Sequence, residues 1–353
     1  MTMIINKNSN HYKEHVCRPI KLDRNENPLG PSPLAIKAAN RALSRCHQYP
    51  ENEELALKRC LAKHLGISPK TIALANGSER LLELIAKIYL TPGDSAVLPN
   101  YSFINLTKII ETTGAELRVA SNSHEDIKVS QILEVVNYST KIIFIVNPNN
   151  PTSTYINTTN LIYLLNEVPS HKLIVIDEAY AEYVQASDYP DTIKLINKYP
   201  NLIICRTFSK FYGLAGLRLG YAITTPKIVD ILNQSSLPFS VNSIALAAAQ
   251  EAILDKKHIK STKSNNKKAC EQLTLGLKKL SLIVHPSFTN FVCVDLKHDS
   301  LDVYRQLLKV GIRVRTLHDY GLPTHLRISM GLEEQNQQLL DALSKIPQLN
   351  SNS

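Results

Sequence analysis

Residues 173–180, Leu173-Ile174-Val175-Ile176-Asp177-Glu178-Ala179-Tyr180, run from four apolar side chains straight into a polar cluster. A half-exposed strand would alternate apolar with polar residues. An unbroken Ile/Val/Leu run is what a strand buried on both faces of a parallel sheet presents. The pattern recurs on either side. Upstream, Lys141–Val146 leads into Asn147-Pro148-Asn149-Asn150-Pro151-Thr152; downstream, Leu202–Cys205 leads into Thr207-Phe208-Ser209-Lys210. Asn150 precedes Asp177 by 27 residues and Asp177 precedes Lys210 by 33, each about one strand–helix–strand unit. Helical segments separate the runs, as around Asn157–Glu167, so the class is α/β, with helices on both faces of a mostly parallel sheet. Parallel strands deliver their C-terminal ends to one edge, where such folds bind ligands. Asn150, Asp177, Tyr180 and Lys210 should therefore converge.

The pattern extends outward. Helical periodicity covers Pro33–Ser44 and Asn52–Leu65. Ile72–Ala75 reads as a strand, Asn76-Gly77-Ser78 as a turn and Glu79–Leu90 as a helix, followed by a strand at Ala96–Leu98 and a helix near Phe103–Thr112. From about Val241 to Leu280 the chain is helix-like. Strand-like pieces at Phe291–Val294, Ile312–Arg315 and Leu326–Met330 then mix with helices. The expected organisation is a proline-marked N-terminal arm (1–30), a large domain (31–240) and a smaller α+β C-terminal domain (241–353) to which the arm contributes. Asn350–Ser353 reads as a frayed end.

Composition narrows the function classes. Hydrophobic residues make up 44% and charged residues 20% of the 353, a globular balance that argues against disorder. Lys+Arg at 40 against Asp+Glu at 31 gives +9, but the cations are scattered without a run of five or six. That favours small anionic ligands in a pocket over nucleic acid. No apolar stretch reaches the length of a membrane span, and the polar start, Met1–Lys13, carries no signal-peptide core, so no membrane partner is expected. The six cysteines form no CxxC pair and read as reduced thiols of a cytoplasmic protein. Histidine spacing supports no metal site.

Each polar cluster has a bland reading: Asp177 as a helix cap, Asn147–Thr152 as a proline turn, Lys210 as one lysine among many. Their common placement after buried strands makes the joint reading the sharper one. A fourth element, Gly77-Ser78-Glu79, opens a helix after a strand, where free backbone N–H groups suit a phosphate. A lysine, a buried carboxylate, amide and hydroxyl donors and a phosphate cradle together match pyridoxal 5′-phosphate. Lys210 would bond the cofactor aldehyde and Asp177 would keep the pyridine nitrogen protonated. Asn150 and Tyr180 would hydrogen-bond the ring oxygen. The backbone of Ser78 and Glu79, with Ser209 and Arg218, would hold the phosphate. Arg218 ends Gly213-Leu214-Ala215-Gly216-Leu217-Arg218, a linker too short for a parallel crossover, so Arg218–Ile223 should return antiparallel. Positive charge from Arg218 is expected to help keep Lys210 neutral.

These motifs bring a resemblance. Leu22–Pro28 (LDRNENP), Tyr49-Pro50-Glu51, Gly77-Ser78-Glu79, Asn147–Thr152, Asp177–Tyr180, Thr207–Arg218 (TFSKFYGLAGLR) and Leu326–Gly331 (LRISMG) occur in the order found in fold type I aminotransferases of class I/II. Within that group the chain is most similar to the histidinol-phosphate aminotransferases. The resemblance implies a fold type I PLP-dependent transferase, with Gly77 and Thr207 among the cofactor-binding positions. It implies a ring-stacking aromatic at Tyr101, and a homodimer in which Tyr49 reaches the partner subunit's cofactor phosphate. It further implies Arg327 on the amino-acid carboxylate, helped by Arg315 and by Asn25 or Asn27 of the arm. The implied reaction, in histidine biosynthesis, exchanges an amino group between glutamate/2-oxoglutarate and a phosphorylated imidazole substrate, histidinol phosphate or imidazole acetol phosphate.

The chain departs from the family pattern at Ser153, where glycine is usual after Asn-Pro-Thr, at Asn100 (commonly threonine) and at Ile104 (often a second tyrosine). The last bears on substrate choice. Three alternatives are therefore retained: an aromatic or other amino-acid aminotransferase, a phosphothreonine decarboxylase of the same fold, and a non-catalytic regulator. The regulator would need an added DNA-binding domain, and only about thirty residues precede the expected fold.

Overall fold

The computed structural model describes residues 19–121 and 127–350. The first 18 residues of the expected arm, with Cys17, and residues 351–353 of the expected frayed end lie outside the described residues. In chain order the first half comprises β1 (Ile20–Lys21), α1 (Pro33–Leu43), α2 (Glu53–Leu65), β2 (Ile72–Ala75), α3 (Ser78–Tyr89), β3 (Ser95–Pro99), α4 (Ile104–Glu111), β4 (Glu116–Ala120), α5 (Val129–Val135), β5 (Thr140–Val146) and α6 (Thr158–Glu167). Next come β6 (Leu173–Asp177), α7 (Thr192–Leu195), β7 (Leu202–Thr207), β8 (Gly220–Ile223), α8 (Pro226–Ser235), α9 (Ser243–Leu254) and α10 (Lys256–Lys279). The last described elements are β9 (Ile283–Val284), β10 (Phe291–Asp295), α11 (Ser300–Lys309), β11 (Ile312–Arg313), β12 (Arg315–Leu317), β13 (Leu322–Ser329), α12 (Glu333–Leu343) and α13 (Pro347–Asn350).

Seven strands form the main sheet in the order β2-β8-β7-β6-β5-β3-β4. Only β8 runs antiparallel to its neighbours, as the short linker after Lys210 requires. The continuous apolar runs are explained by two cores, one on each face. Ile143, Ile145, Ile174, Ile176 and Ile204 enter one with α6 and α9; Ile142, Phe144, Val146, Val175 and Ile203 enter the other with α3, α4 and α8. Because side chains alternate across a strand, every residue of the run finds apolar surroundings.

A third core lies under the four-stranded antiparallel sheet β12-β13-β10-β9 and includes Leu273, Leu277, Val292, Val294, Leu326 and Ile328. The arm joins this smaller unit: β1 pairs parallel with β11, and Leu22 N–H donates to Arg313 O at 2.8 Å. The expected Ile312–Arg315 strand is divided. Val314 buries its side chain in the third core, and β11 and β12 on either side of it join different sheets. β4 was not anticipated, since its alternating charged and apolar residues at a sheet edge give a weak signal. The alanine-rich face of α9 packs along α1 and α2 in the larger core, whereas α10 contributes Ala269, Leu273 and Leu277 to the smaller one. We therefore propose a domain boundary within α10 rather than near residue 240. Among the described residues no helix is long and apolar enough to cross a membrane.

Candidate active site

A cavity of about 660 Å³ lies at the C-terminal edge of the main sheet, between it, the arm and the small sheet. Asp177 enters from the end of β6, Thr207 from the end of β7, Ser78 and Glu79 from the start of α3, and Arg315 and Arg327 from β12 and β13. Asn150, Tyr180, Ser209, Lys210 and Arg218 also line it. Strand ends thus bring together residues from 78 to 327.

Electrostatics prepare two of these groups. Asp177 is 5% exposed, and burial pushes its carboxyl up to about 7; neighbouring Glu178 and Glu79 add to the rise, while the Ala179 N–H and Lys210 oppose it. Its carboxylate accepts from Ala179 N–H at 3.1 Å. Lys210 is pushed down to about 8, first by burial and next by Arg327. Arg218, the expected source of that effect, contributes less than Arg327. The Lys210 ammonium donates to the Arg24 carbonyl at 2.9 Å and sits 6.0 Å from the centroid of the Tyr180 ring. The Tyr180 hydroxyl, pushed up to about 12 by burial, accepts from Asn25 Nδ2 at 2.9 Å.

The first turn of α3 forms an anion cradle. Gly77 caps it at φ +98, and a Cβ there would stand 2.7 Å from Arg218 Nη2. The left-handed backbone favours glycine here, and the missing Cβ also leaves room for the guanidinium. Arg218 Nη1 donates to Ser209 Oγ at 3.3 Å, and Ser209 N–H donates to Thr207 Oγ1 at 3.0 Å. The Glu79 carboxylate accepts from Asn105 Nδ2. An amine, a carboxyl, a carboxamide, a phenol and a cationic helix N-terminus therefore line one cavity, and the residues fit pyridoxal 5′-phosphate.

Arg327 is 7% exposed and forks into the opposite wall. Its Nη1 donates to Asn150 Oδ1 at 2.6 Å and its Nη2 to the Asp23 carbonyl at 2.8 Å, while Nε is buried without a partner among the described residues. Arg315 pairs with Asp319, and Arg313 with the Asp23 carboxylate at 3.0 Å. With Arg24 and Arg218 the lining holds five arginines.

Three expected residues stand elsewhere. Asn27 does not line the cavity; its Nδ2 donates to the Phe211 carbonyl at 2.8 Å and to Thr262 Oγ1 at 3.2 Å, fastening the arm, and Asn25 is the arm asparagine that touches the site. Tyr101, at φ 55, turns its ring to the cluster of Cys293, Leu317 and Leu322, and Phe103 and Ile104 line the cavity from that loop instead. The Asn100 side chain forms this turn by accepting from Tyr101 N–H at 3.0 Å. Tyr49 is 76% exposed, its ring stacked on Phe239 at 4.8 Å. Sequence reasoning missed Asp23, Arg24, Asn105, Tyr304, Arg313 and Tyr320, which also line the cavity. Arg24 and Arg313 lie inside or beside motifs already noted, and their charge was the available signal.

The family model for aminotransferase class I and II matches residues 18–343. The chain is 41% identical to histidinol-phosphate aminotransferase 2 of Pseudomonas fluorescens, over 93% of this chain and 88% of that protein. Its structure is similar to that of histidinol-phosphate aminotransferase from Sinorhizobium meliloti in complex with pyridoxal-5′-phosphate, with a TM-score of 0.90, 27% identity and coverage of 95% and 92%. It also shares its fold with L-threonine-O-3-phosphate decarboxylase from Porphyromonas gingivalis, with a TM-score of 0.81, 23% identity and coverage of 92% and 98%.

Proposed function

The chain belongs to the class I and II aminotransferase family, and we propose that it exchanges an amino group between glutamate and a phosphorylated imidazole substrate, interconverting imidazole acetol phosphate and histidinol phosphate in histidine biosynthesis. The observation that carries this reading is the placement of Lys210, Asp177 and five arginines on one cavity. Bound pyridoxal 5′-phosphate supplies an electron-withdrawing ring that carries the amino group between the two substrates. Lys210 and Asp177, which line the same cavity, are its expected covalent and ring-nitrogen partners. Asn150 and Tyr180 would orient the ring, and Ser78, Glu79, Thr207, Ser209 and Arg218 would hold its phosphate.

The chain's own groups then divide the work. With its affinity for protons lowered to about 8, Lys210 Nζ is neutral often enough near pH 7–8 to take the donor's α-proton and return it. The Arg327 fork binds the donor carboxylate, since two parallel N–H donors match two carboxylate oxygens. Arg315, with Arg24 and Arg313, meets either the distal carboxylate of glutamate or the phosphate of the second substrate. Asp23 pairs with Arg313 and Asp319 with Arg315, which holds the two guanidinium groups in the wall. Alternate occupation by one acidic ligand and then another explains why the wall is cationic.

The exposed aromatic pair Tyr49 and Phe239 supports a homodimer in which Tyr49 reaches across to the partner's cofactor phosphate. Cys46, Cys60, Cys205 and Cys270 are free thiols, which supports the cytoplasm as the compartment.

The test is a half-reaction followed by a substrate panel. Glutamate should convert the cofactor to its amino form, and imidazole acetol phosphate should outcompete aromatic oxo acids in the return half. Lys210→Ala should abolish both. Release of CO2 without an amino acceptor would make the protein a decarboxylase and overturn the proposal.

A further inference from the structure

Ser153 is fully buried and holds a left-handed backbone at φ 64, a conformation that costs free energy for any residue bearing a Cβ and little for glycine. Its side chain makes a contact that glycine could not. The hydroxyl donates to the Pro286 carbonyl at 2.9 Å. The Ser153 carbonyl accepts from Phe288 N–H at 3.1 Å, and the Phe288 ring meets the edge of Tyr155, centroids 4.4 Å apart. Ser153 and Tyr155 lie in the loop after β5, Pro286 and Phe288 in the segment that enters β10. These contacts therefore fasten the small sheet to the edge of the large one.

The fastening closes a circuit around the cavity wall. Three residues before Ser153, Asn150 Oδ1 accepts from Arg327 Nη1 at 2.6 Å. Past Phe288, β10 pairs with β13, and Cys293 stands opposite Arg327 in that register. The path runs from Asn150 through Ser153, Pro286, β10 and β13 to Arg327 and back to Asn150. If the link at Ser153 loosens, the segment leading into β10 gains freedom, and with it the guanidinium. Of the residues assigned to the cofactor, Lys210, Asp177, Tyr180, Ser78, Ser209 and Arg218 stand outside the two segments that the link joins, whereas Asn150 stands on the tied loop and is one of several groups that would hold the ring. We propose that Ser153 is a positioning residue: its hydroxyl ties the segment before β10 to the loop carrying Asn150 and so places Arg327 for the carboxylate of the amino donor. The assignment rests on the reading of Arg327 given above.

Ser153→Gly and Ser153→Ala both remove the hydroxyl. The glycine variant also relieves the left-handed backbone, so it should fold even if the alanine variant does not. In the holoenzyme, both should raise KM for glutamate about three- to tenfold while kcat of the half-reaction and cofactor retention stay within about twofold, the split expected when only binding geometry loosens. The Phe288 amide should exchange its hydrogen about tenfold faster. Unchanged Phe288 exchange in Ser153→Gly would overturn the tie. Faster exchange with unchanged KM, or loss of cofactor from both variants, would overturn the positioning role. If wild-type protein fails to react with glutamate, the proposed substrate is wrong, and Phe288 exchange still decides the tie.

Discussion

Gly220 and Ser78 stand so close that a Cβ on the glycine would lie 2.2 Å from the serine's backbone nitrogen. The antiparallel strand β8 and the first turn of α3 are therefore pressed together at the anion cradle. Gly220→Ala must push the helix start away from Arg218. We expect a loss of about 1–3 kcal/mol in stability, measured by denaturant melts, and cofactor affinity reduced by at least about tenfold, measured by equilibrium dialysis. Wild-type cofactor affinity in this variant would show that the first turn of α3 does not hold the phosphate.

Asp177 supplies a pH signature in the cofactor-free protein. Its carboxyl has a native pKa of about 7 against 3.8 for the free group, with burial as the main cause. The folded state thus holds its proton more tightly than the unfolded state. The associated stability is present below about pH 4 and is lost as pH rises towards 7, by up to about 1.4 kcal/mol per pH unit. Asp177→Asn should flatten this decline in the apo melting temperature and stabilise the apo protein near pH 8. The same variant should lower turnover by orders of magnitude, because the ring nitrogen loses its carboxylate. Parallel pH profiles of melting temperature in the two proteins would refute the assignment of the slope to Asp177.

Arg327→Lys keeps the charge but not the fork. One ammonium cannot reproduce the paired bonds now made to Asn150 and to the Asp23 carbonyl. KM for glutamate should rise by about one to two orders of magnitude, with a smaller change in kcat. Titration of the half-reaction checks this, and an unchanged KM would place the donor carboxylate elsewhere.

The proposed homodimer, with Tyr49 serving the partner's site, is tested by a mixing experiment. Tyr49→Ala and Lys210→Ala homodimers should each be nearly inactive. After subunits are exchanged, a hybrid dimer carries one site with both native residues, so activity should reappear. No recovery, with exchange verified by mass spectrometry, would confine Tyr49 to its own subunit.

Much of the fold was readable because its signals are local. The apolar runs at 142–146, 173–176 and 202–205 can be satisfied only between two layers, and their polar ends must then share an edge. Asn150, Asp177, Tyr180 and Lys210 were legible for that reason. The short linker after Lys210 also dictated the reversed strand β8. Other features depend on packing. α9 is alanine-rich and could pack in either unit; its contact with α1 and α2 supports the proposed boundary within α10. Asn25 and Asn27 are two residues apart on the same arm, and only the packing of that arm against Ser329, Phe211 and Thr262 determines which one reaches Tyr180.

The order and chemistry of the groups that meet at the sheet edge were thus determined by the chain itself, because each follows a buried strand or opens a helix, and those features depend on neighbours in sequence. The cavity's other wall was decided by tertiary structure alone. Arg313, Arg315 and Arg327 are placed by strand pairings with the arm and within the small sheet, and Tyr101 is turned out of the cavity by a single left-handed residue. The relative weight of Arg327 and Arg218 on Lys210 also depends on distance through the folded interior, which no spacing along the chain encodes.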